Sequence, residues 1–276
     1  MKLRIDFVKI EATGNDFILI DGRKVSKSNL HERMIRKMCD RHLGIGADGL
    51  IHLSVDEASN NLVMTYYNAD GKKSTMCGNG LRAATLFARI NGLLNKTKMS
   101  INAADGPHEI QFNATKDIKV EIKPAEHIRW LDRESFELPE DIHPKAWLDT
   151  GVPHLICECD KPLTEDQVKR YGQYLRNHRA FGEQGANVNF IFKDERSRWF
   201  VRTYERGVED ETLSCGTGVT ATSQVLWAHN ETDDQTITLF TLGGKLSVWR
   251  REGRYFLAGP AKVAFCGYLF VNNEQS

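Results

Sequence analysis

Two cysteines occupy similar phrases in the two halves of the chain. Cys77 lies in Met76-Cys77-Gly78-Asn79-Gly80 and Cys215 in Ser214-Cys215-Gly216-Thr217-Gly218, and the two are separated by half of the 276-residue length. Two cysteines in equivalent places of a duplicated chain can face each other across one cleft. A thiolate and a thiol on opposite faces of a carbon atom are what inversion of its configuration needs.

Each phrase predicts the first turn of a helix. There the backbone N–H groups lack internal partners and the helix dipole leaves partial positive charge, so a thiolate is stabilised and the cysteine pKa falls. Glycines allow a carboxylate to approach the same N–H groups closely. Two such turns would hold one amino-acid carboxylate and bracket its Cα with sulfur. Either phrase alone is explained equally well by small buried residues at a helix start.

Further phrases recur with nearly the same shift, and a two-copy repeat of this size favours two homologous domains. The pairs are Tyr66-Tyr67-Asn68 with Tyr204-Glu205-Arg206, Gly46-Ala47-Asp48-Gly49 with Gly185-Ala186-Asn187-Val188, and Thr13-Gly14-Asn15 with Thr150-Gly151-Val152.

The amino-acid composition argues against nucleic-acid binding and membrane association. Lys plus Arg and Asp plus Glu number 37 each, so no global field recruits nucleic acid or an anionic membrane. No apolar run approaches the length of a membrane helix, and the N-terminus lacks a signal-peptide core. We therefore expect a cytoplasmic protein whose six cysteines are thiols.

Strand-like alternation predominates in both halves, with helical periodicity at about 30–41 and 164–178. The segments after the two cysteines are apolar on most sides, which is typical of buried helices. We predict an α/β (mixed α+β) fold of two pseudo-symmetric domains, each a mixed sheet curled around one central helix. The predicted domains are 1–125 and 126–262, with a linker between Lys123 and Lys145 and a closing strand, 263–276, returning to the first domain.

Longer phrases carry a resemblance from end to end of the chain. They include Thr13-Gly14-Asn15-Asp16-Phe17, Tyr67-Asn68-Ala69-Asp70-Gly71, Pro153-His154 and Tyr204-Glu205-Arg206-Gly207, together with both cysteine phrases. With these the chain resembles the diaminopimelate epimerase family. The resemblance implies cofactor-independent interconversion of LL- and meso-2,6-diaminopimelate, a step towards lysine and cell-wall peptide.

The resemblance also implies roles for particular residues. Cys77 and Cys215 would be the two catalytic bases, and His154 and Glu205 would assist their proton states. The substrate would be bound by Asn15, Asn68, Gly78, Asn79, Asn187, Glu205, Arg206, Gly216 and Thr217. No metal or other cofactor is implied, the partner is a small amino acid, and a homodimer is what similar enzymes suggest.

One departure from the family pattern bears on the substrate. The family usually has Gly-Asn-Pro-His where this chain has Gly151-Val152-Pro153-His154. The alternatives are therefore a racemase of the same fold for another amino acid and, in a different class, a non-catalytic amino-acid-binding protein, which would need neither thiol. Cys157-x-Cys159 has no second pair at zinc-like spacing, and core packing explains it better than metal binding.

Overall fold

A computed structural model describes residues 2–56, 61–74, 76–94, 98–112 and 117–272. The α-helices in these ranges are α1 (Glu32–Cys39), α2 (Gly78–Ile90), α3 (Glu165–Arg176) and α4 (Gly216–Ala228). The first eight strands are β1 (Lys2–Ala12), β2 (Asn15–Asp21), β3 (Gly49–Val55), β4 (Leu62–Asn68), β5 (Lys98–Ala103), β6 (Gly106–Phe112), β7 (Asp117–Ile122) and β8 (Ile128–Trp130). The others are β9 (Ile142–Asp149), β10 (Pro153–Cys159), β11 (Asn187–Lys193), β12 (Trp199–Glu205), β13 (Asp210–Thr212), β14 (Thr236–Thr241), β15 (Gly244–Arg251), β16 (Arg254–Pro260) and β17 (Lys262–Asn272).

The chain divides into two compact units. The first contains Met1–Val120 together with Gly259–Ser276, and the second contains Glu121–Ala258. The first unit is thus discontinuous in sequence, and β17 pairs antiparallel with β1 within it. The predicted boundaries, after residues 125 and 262, stay a prediction about where the domains begin and end.

Both units repeat one pattern of strand pairing. In the first unit each strand from β1 to β6 pairs with the next one along the chain. These six pairings are, in order, antiparallel, parallel, antiparallel, parallel, antiparallel and antiparallel. In the second, β9, β10, β11, β12, β14, β15 and β16 pair in the same succession. A parallel pair needs a crossover, and one helix lies in each: α1 and α2 in the first unit, α3 and α4 in the second. This architecture confirms the predicted mixed fold.

Helices α1 and α3 are amphipathic and cover one face of each sheet. The apolar side chains of α1 fall three to four residues apart, which places Met34, Ile35 and Met38 in the core with Ile18 and Leu50. A capping box starts α3, because the Thr164 side chain accepts the N–H of Gln167 and the Gln167 side chain accepts the N–H of Thr164. The core beneath α3 contains Cys157 and Cys159.

Helices α2 and α4 lie against the other face of their sheets and are buried around most of their circumference. Small residues at their starts and apolar ones further on allow this burial. α2 contacts β1 to β4, and α4 contacts β9, β10, β11 and β15. These are the predicted central helices, and each begins directly after one of the two cysteines.

The segment 123–145 was predicted to be a linker because charges and prolines gather there, and this stays a prediction. It contains β8 and the start of β9, which pair with each other, and β9 pairs with β10 of the second unit. A proline is tolerated there because β9 has a register irregularity beside Pro144. No helix within the described ranges is long and apolar enough to cross a membrane.

Candidate active site

Both cysteines are N-cap residues with extended backbones. Cys77 (φ −145°, ψ 114°) precedes α2, and its Sγ accepts the Gly80 N–H at 3.3 Å. Cys215 (φ −123°, ψ 110°) precedes α4, and its Sγ lies 3.3 Å from the Thr217 hydroxyl. The sequence prediction placed both cysteines at helix starts, where N–H groups and the helix dipole stabilise a thiolate.

The third residue after each cysteine is a glycine that lies close to the sheet. A Cβ on Gly80 would lie 3.2 Å from Ile51 Cδ1. A Cβ on Gly218 would lie 2.2 Å from the Asn189 side-chain oxygen, closer than any real contact. The sheet therefore presses directly against the first turn of each helix, and side chains on the sheet reach the neighbourhood of the cysteine.

In the first unit, two of the predicted binding residues are hydrogen-bonded to each other. Asn79 Nδ2 donates to Asn15 Oδ1 at 3.1 Å, and Asn15 Nδ2 donates to Asp48 Oδ2 at 2.5 Å. Asn15 begins β2 and Asn79 lies in the first turn of α2, so this chain of bonds ties the turn after Cys77 to the sheet.

Sequence reasoning missed a residue at the end of this chain of bonds, Arg82. Its guanidinium is fully buried, with Nη2 donating to Thr13 Oγ1 at 2.7 Å and to Asn79 Oδ1 at 2.9 Å. Burial lowers the pKa of Arg82 to about 10, and the negative charge of Cys77 acts in the opposite direction. An arginine among the small and apolar residues Leu81, Ala83 and Ala84 was the signal that could have found it.

At its Asp48 end, this series of hydrogen bonds meets a cluster of ion pairs. Lys9 is almost fully buried with its ammonium 2.8 Å from Asp16, and Arg41 bonds both Asp16 and Asp48. Burial raises the pKa of Asp16, but the bonds from Arg41 and Lys9 outweigh it and lower the pKa to about 2. Asp48 thus accepts from Asn15 while it is itself held by a cation.

In the second unit, strand register places four predicted residues close together. His154 on β10 is level with Asn187 on the parallel β11. Asn187 Oδ1 accepts the Arg206 backbone N–H at 2.7 Å, so it fixes the chain where β12 ends. Glu205 is the last residue of β12, and the Arg206 guanidinium donates to Gln184 O at 3.4 Å.

His154 is completely buried. Burial lowers its pKa to about 3, and the positive charge of Arg206 acts in the same direction. Its Nδ1 lies 3.1 Å from Asn189 Nδ2, and Thr203 Oγ1 donates to Asn189 Oδ1 at 2.9 Å. Sequence reasoning missed Asn189 and Thr203, although alternation along β11 and β12 puts them on the same face as Asn187 and Glu205.

Other predicted residues lie as follows. Gly78, Gly216 and Thr217 belong to the first turns of α2 and α4. Asn68 ends β4 opposite Gly49 and is exposed, and its backbone N–H donates to Lys72 O at 2.9 Å. Within the described residues no group of three or more His, Cys, Asp or Glu side chains could hold a metal ion.

Comparison with known proteins shows which family the chain belongs to. The family model described as diaminopimelate epimerase matches residues 7–128 and 146–263. This chain belongs to the diaminopimelate epimerase family. The two matched segments correspond to the two halves of the duplication, and the resemblance drawn from the motifs is confirmed.

Curated members of the family match over nearly their whole length. Diaminopimelate epimerase from Flavobacterium psychrophilum is 41% identical over 263 residues, which are 93% of this chain and 97% of that protein. The enzyme of the same name from Aquifex aeolicus is 34% identical over 281 residues, with 96% and 98% covered. The predicted enzyme class, an isomerase, is confirmed.

Solved structures show the same fold at low sequence identity. A phenazine biosynthesis protein of the PhzF family from Bacillus anthracis has a TM-score of 0.73 at 16% identity, covering 98% of this chain and 99% of that one. A hydroxyproline epimerase from Agrobacterium vitis, with bound trans-4-hydroxy-L-proline, has a TM-score of 0.72 at 14% identity, covering 99% and 95%.

Proposed function

We propose that this isomerase interconverts LL-2,6-diaminopimelate and meso-2,6-diaminopimelate with Cys77 and Cys215 as the two bases. The observation that carries the proposal is that each cysteine is the N-cap residue of the helix buried in its own unit, at equivalent places of a duplicated fold. Neither thiol forms a disulfide, and within the described residues neither belongs to a group that could hold a metal ion, whereas cofactor-independent inversion of an α-carbon requires two bases.

The proton transfers balance without a cofactor. One cysteine, as thiolate, takes the α-proton and becomes a thiol, which leaves a carbanion at Cα. The other, as thiol, gives its proton to the opposite face and becomes a thiolate. The reverse reaction exchanges the roles. Because no electron sink takes up the carbanion charge, hydrogen bonds to the substrate carboxylate have to stabilise it.

The first turn of α2 and the first turn of α4, each within its own unit, offer groups suited to binding a carboxylate. Gly78, Gly216 and Thr217 present backbone N–H groups that have no partner inside a helix. Asn79 and Asn15 stand beside the first of these turns in fixed orientations, because Arg82 donates to one end of the pair and Asp48 accepts at the other.

Arg206 is assigned to the distal carboxylate of the substrate. A guanidinium binds a carboxylate through two parallel bonds, which distinguishes a dicarboxylate from a monocarboxylate. Asn187 holds the backbone of Arg206 by its side-chain oxygen, so it positions that guanidinium. Glu205 is placed to accept from a substrate ammonium group, and Asn68 supplies a further amide.

Solvent exchange tests catalysis directly. In D₂O, wild-type enzyme should place deuterium on the α-carbon of diaminopimelate as it inverts it, which a binding protein cannot do. Cys77→Ser and Cys215→Ser should each lower epimerisation about 100-fold or more, because a hydroxyl is a far poorer base near neutral pH. Epimerisation above a tenth of the wild-type rate in either variant would rule out the two-base assignment.

A one-base reaction serves as the control for correct folding of these variants. A diaminopimelate analogue with a leaving group on the carbon next to Cα loses that group once a single base removes the α-proton. Each serine variant still has one cysteine, so each should still eliminate the leaving group from one isomer of the analogue. Loss of elimination in both variants would show that serine disturbs the site itself.

A second candidate function is inversion of a different amino acid, and Val152 favours it. An apolar side chain stands where the family usually has an asparagine amide. Turnover of lysine, histidine and glutamate compared with that of diaminopimelate decides between the two, since only diaminopimelate offers both an amino-acid end and a distal carboxylate with its ammonium.

The charge balance and the exposed surface bear on where the protein acts, how it assembles and what it binds. We infer a cytoplasmic homodimer that acts on a small molecule and binds neither nucleic acid nor a membrane. Equal numbers of acidic and basic residues, 37 each, support the last two points. Strand β17 exposes about half of the surfaces of Phe265 and Tyr268, which suits a contact between two copies. Light scattering on the purified protein measures the oligomeric state.

A further inference from the structure

Asn189 lies at the centre of a buried hydrogen-bonded group on the α4 side of the second sheet. It is fully buried, and its Nδ2 is 3.1 Å from both His154 Nδ1 and Leu155 O. Its Oδ1 accepts the Thr203 hydroxyl at 2.9 Å. The register of β10, β11 and β12 brings these groups together from positions far apart in the sequence.

The contacts leave only one orientation for the Asn189 amide. The Leu155 carbonyl can only accept, so the amide NH₂ must point toward it and the amide oxygen toward Thr203. The same NH₂ therefore donates to His154 Nδ1. A ring nitrogen that accepts a hydrogen bond carries no proton, so the proton of the neutral imidazole is on Nε2.

The other ring nitrogen of His154, Nε2, carries this proton in a buried position. His154 Nε2 is buried and has no hydrogen-bond partner within the described residues. A buried N–H without an acceptor costs free energy, which a site recovers when its ligand supplies the acceptor. His154 thus offers a donor in the half of the molecule that contains Cys215.

Protonation of His154 is opposed by the same contacts. An imidazolium would place an N–H on Nδ1 facing the N–H of Asn189. Burial of the ring and the positive charge of Arg206 hold the pKa of His154 at about 3. The ring is consequently neutral near pH 7.

The first unit shows that the fold does not need this polar group. Phe17 is equivalent to His154, because Phe17 pairs with Gly49 and His154 pairs with Asn187. Ile51 is equivalent to Asn189, because Ile51 faces Gly80 and Asn189 faces Gly218. The residue opposite Ile51 is Tyr66, whose ring packs edge-on against Phe17 at 5.9 Å.

Phe17, Ile51 and Tyr66 therefore fill these places in the first unit, and His154, Asn189 and Thr203 fill them in the second. Because apolar side chains build the same fold at the places equivalent to His154 and Asn189, this buried polar pair calls for a functional explanation.

We propose that Asn189 is a positioning residue that holds His154 as the neutral tautomer with its proton on Nε2, so that His154 serves the reaction as an N–H donor and not as a proton acceptor. The role in the reaction rests on the function proposed above, but the tautomer does not. Thr203 supports it by fixing the amide oxygen. The hydrogen-bond acceptor for the Nε2 N–H is an anionic group that is bound or formed during the reaction.

The test is ¹⁵N NMR of histidine-labelled enzyme, with the His154 signals assigned by their loss in His154→Gln. In wild-type enzyme Nδ1 should resonate as an unprotonated nitrogen and Nε2 as a protonated one, unchanged across about pH 5 to 8, where histidines ordinarily titrate. An Nδ1–H tautomer, or ordinary titration of His154 in that range, would overturn the proposal. The wild-type spectrum alone yields this result.

Asn189→Asp replaces the amide that donates to His154 Nδ1 with a carboxylate of nearly the same size. Its carboxylate accepts instead of donating, so His154 should acquire a proton on Nδ1 and titrate within the same pH range. Asn177→Asp adds the same charge at the exposed end of α3 and should leave the His154 signals as they are. If the His154 signals of Asn189→Asp match those of wild type, the amide does not set the tautomer.

Kinetics then separate this inference from the proposed reaction. Asn189→Asp should lower kcat for epimerisation about tenfold or more while KM changes less than about threefold, because the donor acts in the transition state. If the NMR result holds and no diaminopimelate is turned over even by wild type, the proposed function fails while the tautomer stands. If kcat is unchanged in a variant with the altered tautomer, His154 is not the donor.

Discussion

At the scale of single residues, His154 is a titratable group whose proton affinity changes on folding. Its pKa falls from 6.5 to about 3 because the ring is buried and Arg206 repels the added charge. The unfolded chain therefore binds the proton more tightly than the folded one. The stabilisation linked to this group is fully present above pH 6.5 and is lost as the pH falls towards 3.

We accordingly expect the free energy of unfolding to decrease between pH 6.5 and 4.5, and we expect His154→Gln to reduce that slope. Burial also lowers the pKa of His178, so part of the slope should remain. Urea denaturation at several pH values measures it. The carboxyl of Asp16, with a pKa of about 2 against 3.8 when unperturbed, acts only at lower pH and does not confuse the result. An equal slope in wild type and His154→Gln would contradict the assignment.

Val152 carries the prediction about the substrate. It lies in the turn before β10, where its carbonyl accepts the Thr150 N–H at 3.1 Å. Loss of one amide there costs roughly 0.5–1.5 kcal/mol, or about two- to tenfold in affinity. We expect diaminopimelate to be turned over, lysine to be rejected, and Val152→Asn to leave the preference unchanged. A kcat/KM for lysine, histidine or glutamate above that for diaminopimelate would make Val152 a specificity change.

At the scale of elements, the starts of α2 and α4 differ in how closely the sheet approaches. Gly218 abuts the polar end of Asn189, which is held on both sides by hydrogen bonds, whereas Gly80 abuts the flexible end of Ile51. A methyl group at Gly218 must therefore displace an anchored amide. A methyl group at Gly80 needs only a small movement of an aliphatic side chain.

We expect Gly218→Ala to lower stability by about 1–3 kcal/mol and Gly80→Ala to cost clearly less. Thermal unfolding of both variants measures the difference. Gly218→Ala should also shift the His154 NMR signals, because Asn189 moves, while Gly80→Ala should not. Equal destabilisation by the two substitutions would show that Asn189 is not rigidly held.

At the scale of the whole molecule, the first unit depends on the last strand of the chain. β17 pairs with β1 from Lys2↔Asn272 to Glu11↔Lys262, and Leu269 and Val271 pack against the core of that unit. The second unit is continuous from Glu121 to Ala258. The end of the chain therefore supports the unit that contains its beginning.

Truncation after Pro260 should expose the edge of β1 and destabilise the first unit selectively. Hydrogen–deuterium exchange is the measurement: amides of β1 should exchange faster, while those of β10 to β12 keep their protection. Uniform loss of protection in both units would instead mean that the two unfold together.

Much of this protein follows from the sequence by itself. The spacing of the cysteine phrases and the repeated motifs indicated duplication, because equivalent turns need the same small residues wherever they occur. Alternation and helical period located β3, β4, β14, α1 and α3 to within a few residues, because these patterns reflect burial along one short element. Strands β8 and β9 were not predicted from the sequence, because charged residues and prolines also occur in short strands near a sheet edge.

Only the tertiary structure decided which side chains meet. Arg82 bonds Thr13 across 69 positions, and Asn189 bonds His154 across 35. Such contacts depend on the register between strands and helices that are distant in sequence, and a shift of one residue would turn each side chain to the opposite face. Local propensity contains no information on that register. The tautomer of His154 and the fixed amides beside Cys77 are therefore properties of the folded sheet, although every residue that makes them is visible in the sequence.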